Sequence, residues 1–217
     1  MAGRPDRIHA DPASERLMTS ATVVTFVRTL ATLALCSWGI VERDLTLLVV
    51  GLVVYWVGDS LDGEVARWRD CETRIGAVVD MMCDRLSCAL FYIGLVVLKP
   101  EMLVPVGIYL FEFMVVDMFL SLAFLAWSIR SPNYFYVVDR RIYLWNWSRL
   151  GKAANSGLFA VLLLVTGWWQ VGIVIATGLL VLKCVSLKWL LDLGLPVPAR
   201  PVREEAHGGQ AQGSPAP

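Results

Sequence analysis

Asp59, Asp62, Asp80 and Asp84 have the residue type and the spacing from which a catalytic centre could be built. They fall in the string Asp59-Ser60-Leu61-Asp62-Gly63-Glu64-Val65-Ala66-Arg67, followed after eight residues by Gly76, then Asp80 and Asp84, at the ends of two apolar stretches. The first pair is three residues apart and the second four, so each pair shares one face of a helix. Two such faces brought together make a cluster of four carboxylates, which would repel itself strongly at low dielectric unless neutralised. Carboxylate oxygens suit a hard cation, Mg²⁺ or Mn²⁺, and no His or Cys in the pattern points to zinc. Gly63, Ala66, Gly76 and Ala77 are small enough to let two helices and a ligand approach closely. Arg67, Arg74 and Thr73 are spaced to meet phosphate oxygens beside such a metal centre.

The elements that must hold these residues are membrane helices. Hydrophobic residues make up 57% of the chain and charged residues 18%, against roughly 45–50% and about 25% in soluble domains. A soluble enzyme is disfavoured, and a formal net charge of zero excludes a basic nucleic-acid-binding domain. The five cysteines (36, 71, 83, 88 and 184) are an odd set without a CxxC pair, so neither a disulfide framework nor a zinc site is expected. Six apolar blocks are long enough to span a bilayer: Val23–Ile40, Leu45–Leu61, Gly76–Leu98, Met102–Ser128, Ala153–Trp169 and Val171–Leu191. The fold class expected is all-α, a polytopic membrane protein of six transmembrane helices. Residues 1–22 form a cytoplasmic N-terminal segment, 23–193 the membrane domain and 194–217 a disordered cytoplasmic tail rich in Pro, Gly, Ala and Gln. The polar start and the missing small-residue cleavage site argue against a removed signal peptide.

Orientation follows from the basic residues near the span ends. Fifteen, among them Arg16, Arg67, Arg74, Arg149, Lys152 and Lys183, fall on the side shared by both termini and the second and fourth connections; only Arg43 and Lys99 fall opposite. Both termini and the four-aspartate string are therefore expected in the cytoplasm, with Arg28 and Arg85 inside spans. Trp38, Trp145, Trp147, Trp168, Trp169 and Trp189 sit near span ends, as an interfacial belt would.

The aspartate string resembles the signature of the CDP-alcohol phosphatidyltransferase family: D, two residues, D-G, two residues, A-R, eight residues, G, three residues, D, three residues, D. Every fixed position matches, and eight positions at about one in twenty each would coincide by chance at a given start roughly once in 10¹⁰. The resemblance implies that Asp59, Asp62 and Asp80 bind a two-metal centre, while Asp84 touches the second metal and deprotonates the acceptor hydroxyl. Gly63, Arg67 and Thr73 match positions that bind the CDP part of the donor, CDP-diacylglycerol. Thr25 and Arg28 fit a further family feature on the first helix, in which Ala21 and Thr22 replace the usual Pro and Asn.

The acceptor alcohol is read from two stretches that disagree. Trp147-Ser148-Arg149-Leu150-Gly151-Lys152-Ala153-Ala154-Asn155 resembles the S-x-x-G-K-x-x-T stretch of the phosphatidylglycerophosphate and cardiolipin synthase branches, with Asn155 in place of Thr, and points to Lys152 and Arg149 as acceptor contacts. Cys83-Asp84-Arg85 is similar to inositol-phosphate-accepting members instead. The reading preferred is phosphatidylglycerol as acceptor, giving cardiolipin and CMP in the plasma membrane. Glycerol 3-phosphate, inositol phosphate, or a soluble CDP-alcohol donating to diacylglycerol are the alternatives, and a polytopic transporter is the reading from another class. A homodimer among membrane lipids, with no nucleic-acid partner, is expected. Glu112 and Asp117 lie within the fourth span, five residues and so about 140° apart on an α-helix. They are not expected to share a site; one should pair with Arg28 or Arg85.

Overall fold

The computed structural model describes residues 8–11 and 15–196, so the expected tail lies outside the described residues from position 197 onward. All regular structure among the described residues is helical, apart from an isolated antiparallel bridge between His9 and Ile129. Five helices are long and apolar enough to cross a membrane: α1 (Ser20–Glu42), α2 (Leu45–Trp68), α3 (Arg74–Leu98), α4 (Pro100–Ala126) and α7 (Trp169–Leu193). Between α4 and α7 lie the short α5 (Arg140–Asn146) and α6, a run over 149–166. The expected span Ala153–Trp169 corresponds to α6, which is not among the five.

Local sequence sets the helix ends. Thr19, Asp44 and Thr73 cap α1, α2 and α3, their side-chain oxygens accepting from the backbone N–H of Thr22, Thr46 and Gly76. Arg43 closes α1 in a left-handed conformation (φ 53°), and Gly167 (φ 64°) ends α6, where the absent side chain removes the strain. Helix α1 lies close against α2 because two glycines face it. A Cβ at Gly51 would come within 2.6 Å of Cys36 Sγ, and one at Gly58 within 2.6 Å of the Arg28 side chain.

Buried apolar side chains form two cores. One is built around Phe91, Tyr92, Tyr109 and Phe159, the other around Phe124, Phe135, Ile142 and Leu190. Trp147 belongs to the second core and is only 7% exposed. It is therefore a packed side chain and not part of an interfacial belt. Between the cores runs a polar layer: Arg85 lies between Met81 and Cys88 on α3, and Lys183 between Leu179 and Leu190 on α7.

Two helices depart from α geometry at this layer. Glu112–Asp117 in α4 and Ala153–Gly157 in α6 are π turns, whose i→i+5 hydrogen bonding stacks residues five apart on one side. The 140° separation expected for Glu112 and Asp117 does not apply, and both line the same cavity.

Candidate active site

A cavity of about 230 Å³ runs from the α2–α3 connection and the segment after α4 inward to the polar layer. At its outer part α2 and α3 bring the four aspartates together. Carboxylate oxygens of Asp59, Asp62 and Asp80 lie within 4.8 Å of one another, and Asp84 joins them through Arg28 of α1. The Arg28 guanidinium, buried to 3% side-chain exposure, donates from Nε to Asp62 (2.6 Å) and from Nη2 to Asp84 (2.8 Å) and Asp80 (2.5 Å). The same nitrogen lies 3.6 Å from Asp59. One side-chain cation thus stands among four carboxylates, with a formal sum of −3. Gly58 makes the room for it. The sequence placed Arg28 within a span and on a family motif; that it meets the aspartates, and not Glu112 or Asp117, required the packing of α1 against α2 and α3.

The positions expected to bind CDP line this same cavity. The Arg67 guanidinium lies against Gly63, where a Cβ would sit 3.3 Å from Nη1. Thr25 is buried and donates to Asp62 (2.9 Å), so its hydroxyl orients a carboxylate. Thr73 caps α3, accepting from Gly76 N–H (3.0 Å) and donating to the carbonyl of Arg16 (3.2 Å). Gly76 is needed beside it, since a Cβ would lie 2.8 Å from Thr73 Oγ1. Arg74 lies outside the lining and donates to the carbonyls of Leu125 (2.5 Å) and Trp127 (3.3 Å). Glu72 is held by Ser131 (3.0 Å) and Tyr134 (2.7 Å), which ties the α2–α3 connection to the segment after α4. Burial, and then the Glu72 carboxylate, push the Tyr134 phenol above its ordinary pKa.

Lys152 also lines the cavity. Ser148 caps the turn before it, accepting from Gly151 N–H (3.0 Å), and a Cβ at Gly151 would meet the carbonyls of Trp145 and Leu144 at 2.9 and 3.0 Å. The Ser-x-x-Gly-Lys spacing is thus a capped, closely packed turn that presents the lysine. Arg149 is exposed and outside the lining.

Deeper in, Arg85 pairs with Asp117, as one of the two acids was expected to do. Asp117 also accepts from Lys183 (2.6 Å), whose ammonium donates in turn to Asn146 (3.0 Å), and Asn146 donates to Ser186 (3.0 Å). Lys183, one of the fifteen basic residues on the side of the termini, is 2% exposed and inside the bundle, not flanking it; fourteen against two leaves the charge asymmetry standing. Its position within the last apolar block was the signal that a flank count overlooks.

The four carboxylates are a hard-oxygen donor set with more negative charge than Arg28 balances, which fits divalent cations. The family model for CDP-alcohol phosphatidyltransferase matches residues 18–189, from the start of α1 almost to the end of α7. Comparisons with curated proteins and with solved structures gave no match. This family transfers a phosphatidyl group from a CDP-alcohol to an alcohol acceptor and uses divalent metals. With its signature aspartates gathered at one cavity among membrane-length helices, the chain belongs to the CDP-alcohol phosphatidyltransferase family and is a transferase of that class.

Proposed function

We propose that the protein transfers the phosphatidyl group of CDP-diacylglycerol to phosphatidylglycerol, forming cardiolipin and releasing CMP. The observation that carries this reading is the presence, in one cavity, of the four aspartates, the Gly63–Arg67 pair and Lys152 on its capped Ser-x-x-Gly turn. Six crossings, with both termini and the site at the cytoplasmic face of the plasma membrane, are proposed on the basic-residue asymmetry.

In this reading Asp59, Asp62, Asp80 and Asp84 would hold two divalent cations, Mg²⁺ or Mn²⁺, which would polarise the diphosphate and offset its charge. Arg67, lying against Gly63, binds the cytidine-side phosphate, and Gly63 lets the nucleotide approach the α2 backbone. Thr25 and Arg28 orient Asp62, and Thr73 fixes the start of α3 so that Asp80 and Asp84 face α2. The acceptor hydroxyl has a pKa far above neutral, so a base must take its proton as its oxygen bonds to the lipid-side phosphorus. Asp84 takes that proton, and the phosphorus–oxygen bond to CMP breaks with its electron pair leaving on the CMP phosphate. Lys152 binds the phosphodiester of the acceptor. Most of the rate enhancement is then positional and electrostatic.

The test is incubation of the purified protein with CDP-diacylglycerol, Mn²⁺ or Mg²⁺, and phosphatidylglycerol, glycerol 3-phosphate or inositol 1-phosphate, with mass spectrometry of the lipids. Cardiolipin as the main product is the expected result. Preferred use of inositol phosphate would make Cys83-Asp84-Arg85 the better guide, although the Arg85 guanidinium is engaged with Asp117.

A further inference from the structure

The inner end of the cavity holds polar atoms that the reaction as described leaves unused. Glu112 is 1% exposed, and neither of its carboxyl oxygens has a hydrogen-bond partner among the described residues. Asn155 is 9% exposed; its Nδ2 donates to the carbonyl of Trp145 (3.2 Å), which fixes the amide orientation and leaves Oδ1 without a partner. Both residues line the cavity that holds Asp84, and each belongs to one of the two π turns. Such turns recur at functional sites because they divert a side chain that an α-helix would aim elsewhere. A buried polar atom left unpaired costs about 1–3 kcal/mol, so three of them on two residues lining one cavity point to a ligand that satisfies both residues.

Their chemistry narrows what that ligand offers. Glu112 and Asn155 present three unpaired oxygen atoms, and Arg85 Nε one unpaired donor. Phosphate oxygens only accept and so leave Asn155 Oδ1, which also only accepts, unsatisfied. Hydroxyl groups donate and accept, and match the set. Nearby Lys183 and Arg85 are already engaged with Asp117.

We propose that Glu112 and Asn155 form the hydroxyl-reading end of the acceptor subsite, binding a non-reacting hydroxyl of a polyol headgroup while its phosphate stays toward Lys152. This rests on the proposed phosphatidyl transfer and adds the acceptor class: an alcohol with at least one hydroxyl beyond the one that reacts. It also orients the acceptor, hydroxyls inward and anion outward.

The test pairs a protein change with a ligand change. Wild type, Glu112→Leu, Glu112→Gln and Asn155→Ala are assayed for CMP release with phosphatidylglycerol and with phosphatidyl-1,3-propanediol, the same lipid without the secondary hydroxyl. Wild type should prefer phosphatidylglycerol in kcat/KM by roughly 10- to 100-fold. Glu112→Leu and Asn155→Ala should each shrink that preference, mainly through acceptor KM and with the donor KM unchanged, while Glu112→Gln keeps most of it. A preference that survives in both variants, with the two lipids slowed alike, would overturn the subsite and leave Glu112 a structural acid. Should Glu112→Leu not fold, Asn155→Ala decides alone. If wild type releases no CMP with either lipid, the transfer itself fails. The subsite is then read by calorimetric titration with glycerophosphoglycerol: binding lost in Asn155→Ala supports it, and no binding to wild type overturns it.

Discussion

Arg28 and Asp117 mark two buried charge clusters of opposite composition. Arg28 is one cation among four carboxylates, whereas Asp117 is one carboxylate between the two cations Arg85 and Lys183. The second cluster lies deeper, with Lys183 at 2% side-chain exposure; in the first, Asp59 is 46% exposed and Asp80 35%. The aspartate cluster keeps three negative charges and an opening through which cations and a diphosphate can reach them. Excess charge with access distinguishes a site built for a ligand from one that holds helices together.

That contrast can be broken experimentally, and the largest effect is expected at the aspartates. Asp59→Ala, Asp62→Ala or Asp80→Ala, or wild type in excess EDTA, should lose CMP release by roughly 10²- to 10³-fold or more, with the protein still folded. Undiminished release in EDTA would remove the metal centre from the account. Next, Asp84→Asn should reduce kcat by roughly 10²- to 10⁴-fold and still bind CDP-diacylglycerol, because a base acts on the acceptor. Lost donor binding, measured by titration, would make Asp84 chiefly a metal ligand.

Stability should respond in the opposite sense at the two clusters. Asp117→Ala leaves Arg85 and Lys183 buried without their carboxylate and should lower unfolding stability by about 3–5 kcal/mol. Asp80→Asn in EDTA should not lower the Tm, since Arg28 keeps three carboxylates and some repulsion is relieved. Equal losses in the two variants would erase the distinction. The smallest effect is at Lys152. Lys152→Ala should raise the acceptor KM by roughly 10- to 150-fold and leave the donor KM nearly unchanged, as expected for one charged hydrogen bond. An unchanged acceptor KM would return this lysine to its part in the positive-inside pattern.

Helix content and the membrane class were legible in the residues, because apolar runs of this length have few other stable solutions. So was the aspartate site: Asp59 with Asp62 and Asp80 with Asp84 obey helical spacing, and spacing along one helix is a local property. The partner of those carboxylates was not legible. Arg28 lies 34 residues from Asp62 and 56 from Asp84, and nothing local selects it over Arg85. Lys183 was hidden for the same reason, its acid lying 66 residues away. The place of Glu112 was hidden because a π turn breaks the 3.6-residue period there, and apolar patterning does not reveal such a turn.

The sequence by itself determined the apolar helices and the two aspartate pairs, since each depends on neighbours within one or two turns of chain. Only the tertiary structure decided which cation meets which carboxylate, and that Glu112 and Asn155 face the cavity of Asp84. Those outcomes depend on how α1, α3, α4, α6 and α7 pack. Packing settles buried charges by pairing them across helices, at sequence separations that no local pattern encodes.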